Sequence, residues 1–264
     1  SELSKVMPYL PKLTGLFSAE ATYIQTENSL QVSAEANVQK LTYEKQPVGD
    51  VGLGVTWLPG EANTHYLSTY LLYNNQDVLS ADGTLVQQGE KSLMDISTSI
   101  THLPLAIANA FVPDQMATLS GRADGELQIS GSMDQPALDG SLSLDSANVY
   151  VKMLGARYWM DNRPIRLDNN RLLFDKFAIY TTSNNPFAIN GYVDFRNMER
   201  PTANLTLQAR NYTLLNAKRT REIMVYGKVL VDLMGTVSGP LDGLKMRGNM
   251  NLLGSTDVTY VLTD

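Results

Sequence analysis

Alternation of apolar and polar residues is the feature that most limits what this chain can fold into. In residues 30–38, Leu, Val, Ala, Ala and Val alternate with Gln, Ser, Glu and Asn. Successive side chains of a strand point to opposite faces, so such a run has one apolar and one polar face. The pattern predicts antiparallel sheets with one solvated side. Similar runs occur at 125–130, 141–144, 148–153, 188–195, 203–209 and 228–237.

Turn-forming residues separate these runs at short intervals, as at Asn74-Asn75, Asp82-Gly83 and Asp139-Gly140. Asn, Asp and Gly tolerate a positive φ, which makes them suited to tight turns. We expect roughly twenty strands, and at about 4.8 Å per strand one sheet would extend on the order of 100 Å. Sheets of that size curl, split or wind into a solenoid.

One segment breaks the alternation. Residues 103–112 read Leu-Pro-Leu-Ala-Ile-Ala-Asn-Ala-Phe-Val and are followed by Pro113. The prolines suit the two ends of a helix, and the alanines favour helix between them. We therefore expect a short, buried helix near 104–112. It would be either a core helix filling the end of a sheet or a plug in an apolar channel.

A repeated phrase specifies strand ends and bends. Pro-x-Leu-x-Gly occurs at 11–15 and 136–140, and a Gly followed five residues later by Pro occurs at 131–136 and 235–240. Pro belongs at a strand start or edge, and Gly in a strand marks a bulge or bend. We expect one elongated segment, residues 1–264, with approximate repeat units 1–100, 101–225 and 226–264.

Reactive groups are sparse. The chain has no cysteine and only two histidines, His65 and His102, which lack metal-ligand spacing and are expected in surface or capping roles. Asp161, Asp168 and Asp175 are expected at turns, although stacked acids in a solenoid enzyme can act as general acid and base. The net charge of −6 argues against a nucleic-acid partner. We expect no enzyme activity, no cofactor and no metal.

Four phrases in order carry a family resemblance. They are 103–114; 119–144, which contains the Pro-anchored repeat; Met-Gly-Thr-Val-Ser-Gly-Pro at 234–240; and Thr-Tyr-Val-Leu-Thr-Asp at 259–264. In this series the chain resembles the TamB family, within the wider AsmA-like group of bridge-like envelope proteins. The likeness extends, with gaps, over nearly the whole chain.

The resemblance implies a location and a function. Members of the family are anchored in the inner membrane of diderm bacteria and cross the periplasm. Their sheet is curled into a trough with an apolar interior, and the implied function is phospholipid movement between the two membranes. The implied partner is an outer-membrane barrel protein of the TamA or assembly-factor type. The family has no catalytic residues to carry over. Because the chain lacks an initial Met and ends in mid-pattern, we expect it to be a piece of a longer protein.

We therefore predict an all-β fold, a long twisted sheet curled into a trough (a β-taco or β-helix-like half-pipe) with one short helix. Its interior would shield phospholipid acyl chains. From the residues alone, a closed dry core is the competing interpretation of the apolar faces. The competing functions are a scaffold that adds a strand to a barrel protein and a carbohydrate-processing solenoid. The candidate groove residues are Leu30, Val32, Leu127, Ile129, Leu142, Leu144, Val149, Val151, Val193, Phe195, Leu205, Leu207, Val229, Val231 and Leu233.

Overall fold

A computed structural model of the protein describes residues 13–26, 30–43, 46–112, 116–182, 184–219 and 225–260. Strands take up 78% of these residues, and sixteen strands join in one antiparallel sheet. In chain order they are β1 (Leu13–Gln25), β2 (Leu30–Tyr43), β3 (Gln46–Pro59), β4 (Thr64–Tyr73), β5 (Gln76–Gln88), β6 (Lys91–Pro104), β7 (Ala117–Ser132), β8 (Gln135–Val151), β9 (Ala156–Met160), β10 (Ile165–Asp168), β11 (Arg171–Tyr180), β12 (Phe187–Asp194), β13 (Thr202–Ala217), β14 (Val225–Pro240), β15 (Lys245–Leu252) and β16 (Asp257–Tyr260).

Strands that follow one another in the chain are also neighbours in the sheet. The order is β1 through β8 and then β10 through β15, with β9 pairing β8 and β11, and β16 pairing β14. Such neighbours need only tight turns, and the Asn74-Asn75 and Asn169-Asn170 connections have the expected positive φ. The all-β prediction is confirmed, and the single antiparallel sheet is consistent with the predicted curled trough.

The chain divides into two compact units. The first unit contains β1 to β6 and residues 123–140 of the β7–β8 hairpin. The second contains residues 117–122 of β7 and the chain from Ser141 onward, which includes the end of β8 and β9 to β16. The repeat units expected from the sequence stay a prediction, and part of the first Pro-x-Leu-x-Gly phrase, at 11–12, lies outside the described residues.

Bulges bend the long strands at recurring positions. Within strands, five non-glycine residues adopt a φ between 46° and 53°: Lys40, His102, Ser146, Lys176 and Asn211. At three of them the register shows two residues opposite one, for example Arg210 and Asn211 opposite Asp232. A bulge of this kind increases the twist of the strand and turns it out of line.

Each of these three opposing residues also holds its bulge in place. The backbone N–H of Lys40 donates to Asp50 Oδ1 at 2.7 Å, and that of Asn211 donates to Asp232 Oδ1 at 2.7 Å. Lys176 N–H donates to Asn190 Oδ1 at 2.8 Å in the same way. The side chain thus accepts a donor that the interrupted ladder leaves unpaired.

The described residues form sixteen strands rather than the roughly twenty expected, and bulges lengthen several of them. The alternating run 203–209 ends before Arg210 and Asn211, whereas β13 continues through this bulge to Ala217 as one bent strand.

The predicted helix is present, but it is a 3₁₀ helix that spans Leu105–Phe111. Pro104 is the last residue of β6 rather than the first helical residue. A segment of seven residues is too short to stabilise an α-helix on its own, whereas short 3₁₀ turns are common connectors. The helix lies against β3 and β2 and buries Ala110. A further 3₁₀ turn, Lys152–Leu154, precedes β9.

Candidate functional site

Each unit has an apolar face, meaning the face of the sheet to which the alternating aliphatic side chains point. In the first unit one row of directly paired residues crosses five strands from β2 to β6: Ala36, Leu53, Leu71, Leu79 and Ile100. A second row runs parallel to it through Val32, Trp57, Leu67, Gly83 and Ile96. The two rows form a continuous aliphatic wall across the unit.

This wall is only partly covered. Leu53 lies in the first row and leaves 45% of its surface exposed. Val32, Leu71 and Leu79 are half-buried. A face with this exposure retains surface that an apolar ligand can cover.

The four groove residues predicted in the first unit lie on this face. Leu30 and Val32 alternate with the polar residues of β2, and Val32 pairs with Trp57. On β7 the polar residues Glu126 and Gln128 accept hydrogen bonds from Ser99 (2.9 Å) and Ser97 (2.8 Å) on the opposite face. Leu127 and Ile129 therefore point to the apolar side. Their role as groove residues stays a prediction.

Two polar groups interrupt the first apolar face. His65 stacks on Trp57 at 5.2 Å between ring centroids, and its Nδ1 is buried without a partner among the described residues. The hydroxyl of buried Thr98 has no hydrogen-bond partner there either. His65 is therefore part of the apolar face, whereas His102 fits the expected surface role because it is exposed and contacts Asp124 through Nδ1 at 2.7 Å.

The apolar face of the second unit follows from the same register. Leu205 pairs with Val237, and Ala209 pairs with Leu233. On the other side Gly191 pairs with Leu205, and Val193 with Ala203. The predicted groove residues that share this face are Val149, Val151, Val193, Leu205, Leu207, Val229, Val231 and Leu233.

Leu142, Leu144 and Phe195 are the remaining predicted residues of the second unit. Leu142 and Leu144 are half-buried in β8, ahead of the bend at Ser146. Phe195 lies just beyond the end of β12, where its backbone N–H donates to Asn170 O at 2.8 Å. This hydrogen bond to the turn between β10 and β11, rather than a contact on the apolar face, thus fixes the backbone of Phe195.

Part of the second apolar face is filled by the protein itself. Tyr212, Val231 and Ala209 form a buried cluster, with Phe187, Val229 and Leu233 packed against it. A second cluster brings β9 onto β13 and β14, because Ala156 packs with Leu215 and Ala217. Since β9 is separated from β13 by two strands in the sheet order, the sheet of this unit curves around this face.

Two tyrosines lie at this end. The hydroxyl of half-buried Tyr158 donates to Leu214 O at 2.9 Å. Burial raises the pKa of Tyr158, and burial together with nearby Tyr158 raises the pKa of buried Tyr212 to about 12.

The apolar face of the second unit is exposed along β15. Met246, Met250 and Leu252 pair with Val237, Leu233 and Val231, so they continue the apolar rows outward. Each is more than half exposed, and Leu252 is 63% exposed. Sequence reasoning missed these residues, although Met-x-Gly-x-Met-x-Leu at 246–252 carries the alternation that would have indicated them.

The side chains of both apolar faces offer contact with apolar groups. Among the residues that the structure describes, no three His, Asp or Glu side chains group closely enough to hold a metal ion. Within the same residues, no helix has the length and apolar character needed to span a bilayer.

The middle of the chain resembles a known family. Residues 74–167, from β5 to β10, match the family model described as TamB C-terminal domain. The match supports a TamB-family protein and agrees, over these residues, with the resemblance seen in the sequence. The TamB family belongs to the envelope of diderm bacteria. TamB is part of a translocation and assembly module that works with an outer-membrane partner. Comparison with curated proteins and with solved structures gave no significant match.

Proposed function

We propose that the apolar faces hold lipid acyl chains while this TamB-like protein moves phospholipid between the inner and outer membranes. The observation that supports this is the row from Ala36 to Ile100, which crosses five strands with aliphatic side chains. Leu53, within that row, remains 45% exposed. A headgroup would stay in water beside the sheet while its chains cover the row.

The energetics favour such a guest. Burying one methylene group contributes roughly 0.8 kcal/mol, so full burial of a dozen methylenes contributes on the order of 10 kcal/mol, and partial burial contributes a proportionate share of this. A wall of Leu, Val and Ile fixes no particular point of an acyl chain, because dispersion and hydrophobic contacts have no strong direction. The chain can therefore bind along the rows without being held at one position.

A matched pair of substitutions on β3 tests the proposal. Leu53→Asp places a charge on the apolar face, whereas Leu58→Asp places the same charge on the opposite face of the same strand. The two leucines are 45% and 37% exposed, so neither change disrupts a packed core. We expect L53D to reduce lipid co-purification, measured by mass spectrometry, and L58D to leave it unchanged. Equal lipid content in two folded variants would contradict the proposal.

A scaffold function is the second candidate, and it rests on β1. This strand lies at one end of the sheet order, and all of its residues are exposed. An edge strand has unpaired N–H and C=O groups, which can pair with a strand of another protein. The partner would be an outer-membrane barrel protein of the TamA type.

The absence of native cysteine makes this alternative testable by disulfide trapping. Thr22→Cys would place a single thiol on β1, and Thr56→Cys would place one on β3 inside the sheet as a control. The scaffold function predicts crosslinking of T22C, but not of T56C, to a cysteine on the partner's edge strand. No crosslink from T22C, while L53D loses lipid, would leave lipid transport as the supported function.

A further inference from the structure

A polar cavity lies where three strands of the second unit end. Its volume is about 690 Å³, and the hairpin between β12 and β13 forms much of its wall. β12 ends at Asp194, β13 begins at Thr202 and β14 ends at Pro240, so the cavity is at the rim of the sheet. We call it the rim cavity. Its lining residues are Asp194, Arg196, Asn197, Arg200, Thr202 and Pro240.

Asp194 organises the cationic side of this cavity. Its carboxylate is buried, and it accepts Arg196 Nε at 3.0 Å on each oxygen and Arg196 Nη2 at 2.6 Å. Arg171 Nε donates to Oδ2 at 3.0 Å from the neighbouring strand. These hydrogen bonds, those of Arg196 above all, hold the pKa of Asp194 well below its usual range. One carboxylate is thus shared by two guanidinium groups, which leaves an excess of positive charge.

Arg200 adds a further guanidinium. The loop that carries it is fixed by Asn197, whose Oδ1 accepts the backbone N–H of Glu199 at 3.1 Å and of Arg200 at 3.2 Å. Among the described residues, the Arg200 side chain has no ion-pair or hydrogen-bond partner. Glu199 on the same loop is exposed and is not part of the cavity lining. Among the residues that line the cavity, the two positive charges of Arg196 and Arg200 therefore exceed the one negative charge of Asp194, in a chain whose net charge is −6.

We propose that the rim cavity binds a phosphate group. Arg200 would supply the main contact, and Arg196 would add the Nη1 hydrogens that Asp194 does not use. The Thr202 hydroxyl, which also lines the cavity, can donate a further hydrogen bond. Guanidinium groups suit this ligand because their planar N–H donors match the oxygens of phosphate.

The position of the cavity connects it to the apolar face. Thr202 and Asp194 are one residue beyond Ala203 and Val193, so their side chains point away from the apolar face, and the cavity adjoins that face only at the strand ends. A phospholipid whose chain covers the apolar face would place its phosphate in the rim cavity by extending past these strand ends. This part of the inference rests on the proposed function, whereas phosphate binding itself does not. The ligand is thus a phospholipid headgroup or a soluble phosphate ester.

Titration of the full chain with inorganic phosphate, followed by the NMR signals of the arginine Nε–H groups, tests the site. We expect Arg200→Gln to weaken binding about tenfold, which matches the loss of one charge-assisted hydrogen bond. The control is Arg247→Gln on β15, which removes an exposed arginine outside the cavity lining and should leave binding unchanged. No saturable binding by the wild type, or equal binding by R200Q, would overturn the proposal.

A second arm distinguishes the two sources of phosphate. Phosphatidic acid and diacylglycerol with the same fluorescent acyl chain differ only in the phosphate. A headgroup site predicts that the wild type prefers phosphatidic acid and that R200Q loses this preference. A preference that R200Q retains would overturn the headgroup assignment, and phosphate binding would then identify soluble phosphate esters. Met246→Asp, an exposed position on the second apolar face, separates the proposals, because it should weaken binding of both lipids and leave inorganic phosphate binding intact.

Discussion

Two leucines on the second apolar face should respond very differently to truncation. Leu207 is 8% exposed within the packed part of the face, whereas Leu252 is 63% exposed on β15. Leu207→Ala should lower the free energy of unfolding by about 2–5 kcal/mol, because it removes transfer energy and leaves a cavity. Full burial of a leucine side chain contributes about 1.5–3 kcal/mol, so Leu252→Ala, with about a third of the residue covered, should cost less than about 1 kcal/mol.

Urea unfolding of the full chain measures both effects. Trp57 lies in the first unit and Trp159 in the second. In a Trp57→Phe background the tryptophan fluorescence therefore reports on the second unit. The midpoint should fall clearly for L207A and barely for L252A. Comparable losses would refute the reasoning, because they would mean that β15 is covered in solution and that its apolar side chains are not available to a ligand.

Three further substitutions probe individual contacts, each through urea unfolding. Tyr158→Phe removes the hydrogen bond to a backbone carbonyl and should cost about 1 kcal/mol; no loss would mean that water replaces it fully. Asp232→Ala removes the acceptor of the Asn211 N–H and should cost about 1–2 kcal/mol, with Asp232→Asn recovering part of it. Asp194→Asn should cost about 1–3 kcal/mol at pH 7. Because the folded pKa of Asp194 is lowered, this stabilisation is fully present above the unfolded pKa of about 4 and is lost as the pH falls. The difference in the free energy of unfolding between the wild type and Asp194→Asn should therefore become smaller below about pH 4. A difference that does not change with pH would contradict the role of the ionised carboxylate.

Much of the fold follows from the sequence because alternation of apolar and polar residues at every second position indicates a strand with one apolar face. Alternation at 203–209 and 228–237 indicated which residues share a face, and the pairs of Leu205 with Val237 and Ala209 with Leu233 agree. The position of the Leu105–Phe111 helix was also predictable, since Pro104 and Pro113 mark its limits. Its 3₁₀ geometry depends on the short length between fixed strand ends.

Packing was not predictable from alternation. Val231 and Leu252 are directly paired on the same face, yet Val231 is 1% exposed and Leu252 is 63% exposed. The difference arises because Ala209, Tyr212 and Phe187 pack around Val231, whereas Leu252 lies on β15 at the end of the sheet order, and no local pattern specifies those contacts. The rim cavity was likewise not predictable from the sequence. Arg171 and Arg196 contact Asp194 only because β11 pairs with β12 and the chain turns back after β12.

The bulges could have been recognised. Each places two polar residues between apolar ones, as in Val38-Gln39-Lys40-Leu41, so the alternation slips by one position inside the strand. An Asp or Asn in the middle of the neighbouring strand is the second sign, since these residues are otherwise depleted in strands. The two signs together separate a bent strand from two short ones.

Each bulge is a single added residue. The bend of a strand and its alternation of apolar and polar residues are therefore specified independently in this chain. Deleting Lys40 would leave Val-Gln-Leu, in which the two aliphatic residues still point to the same side. Only the bend would disappear. Gaining or losing one residue in a strand can therefore change the curvature of such a sheet at that strand, while the apolar residues of its face stay the same.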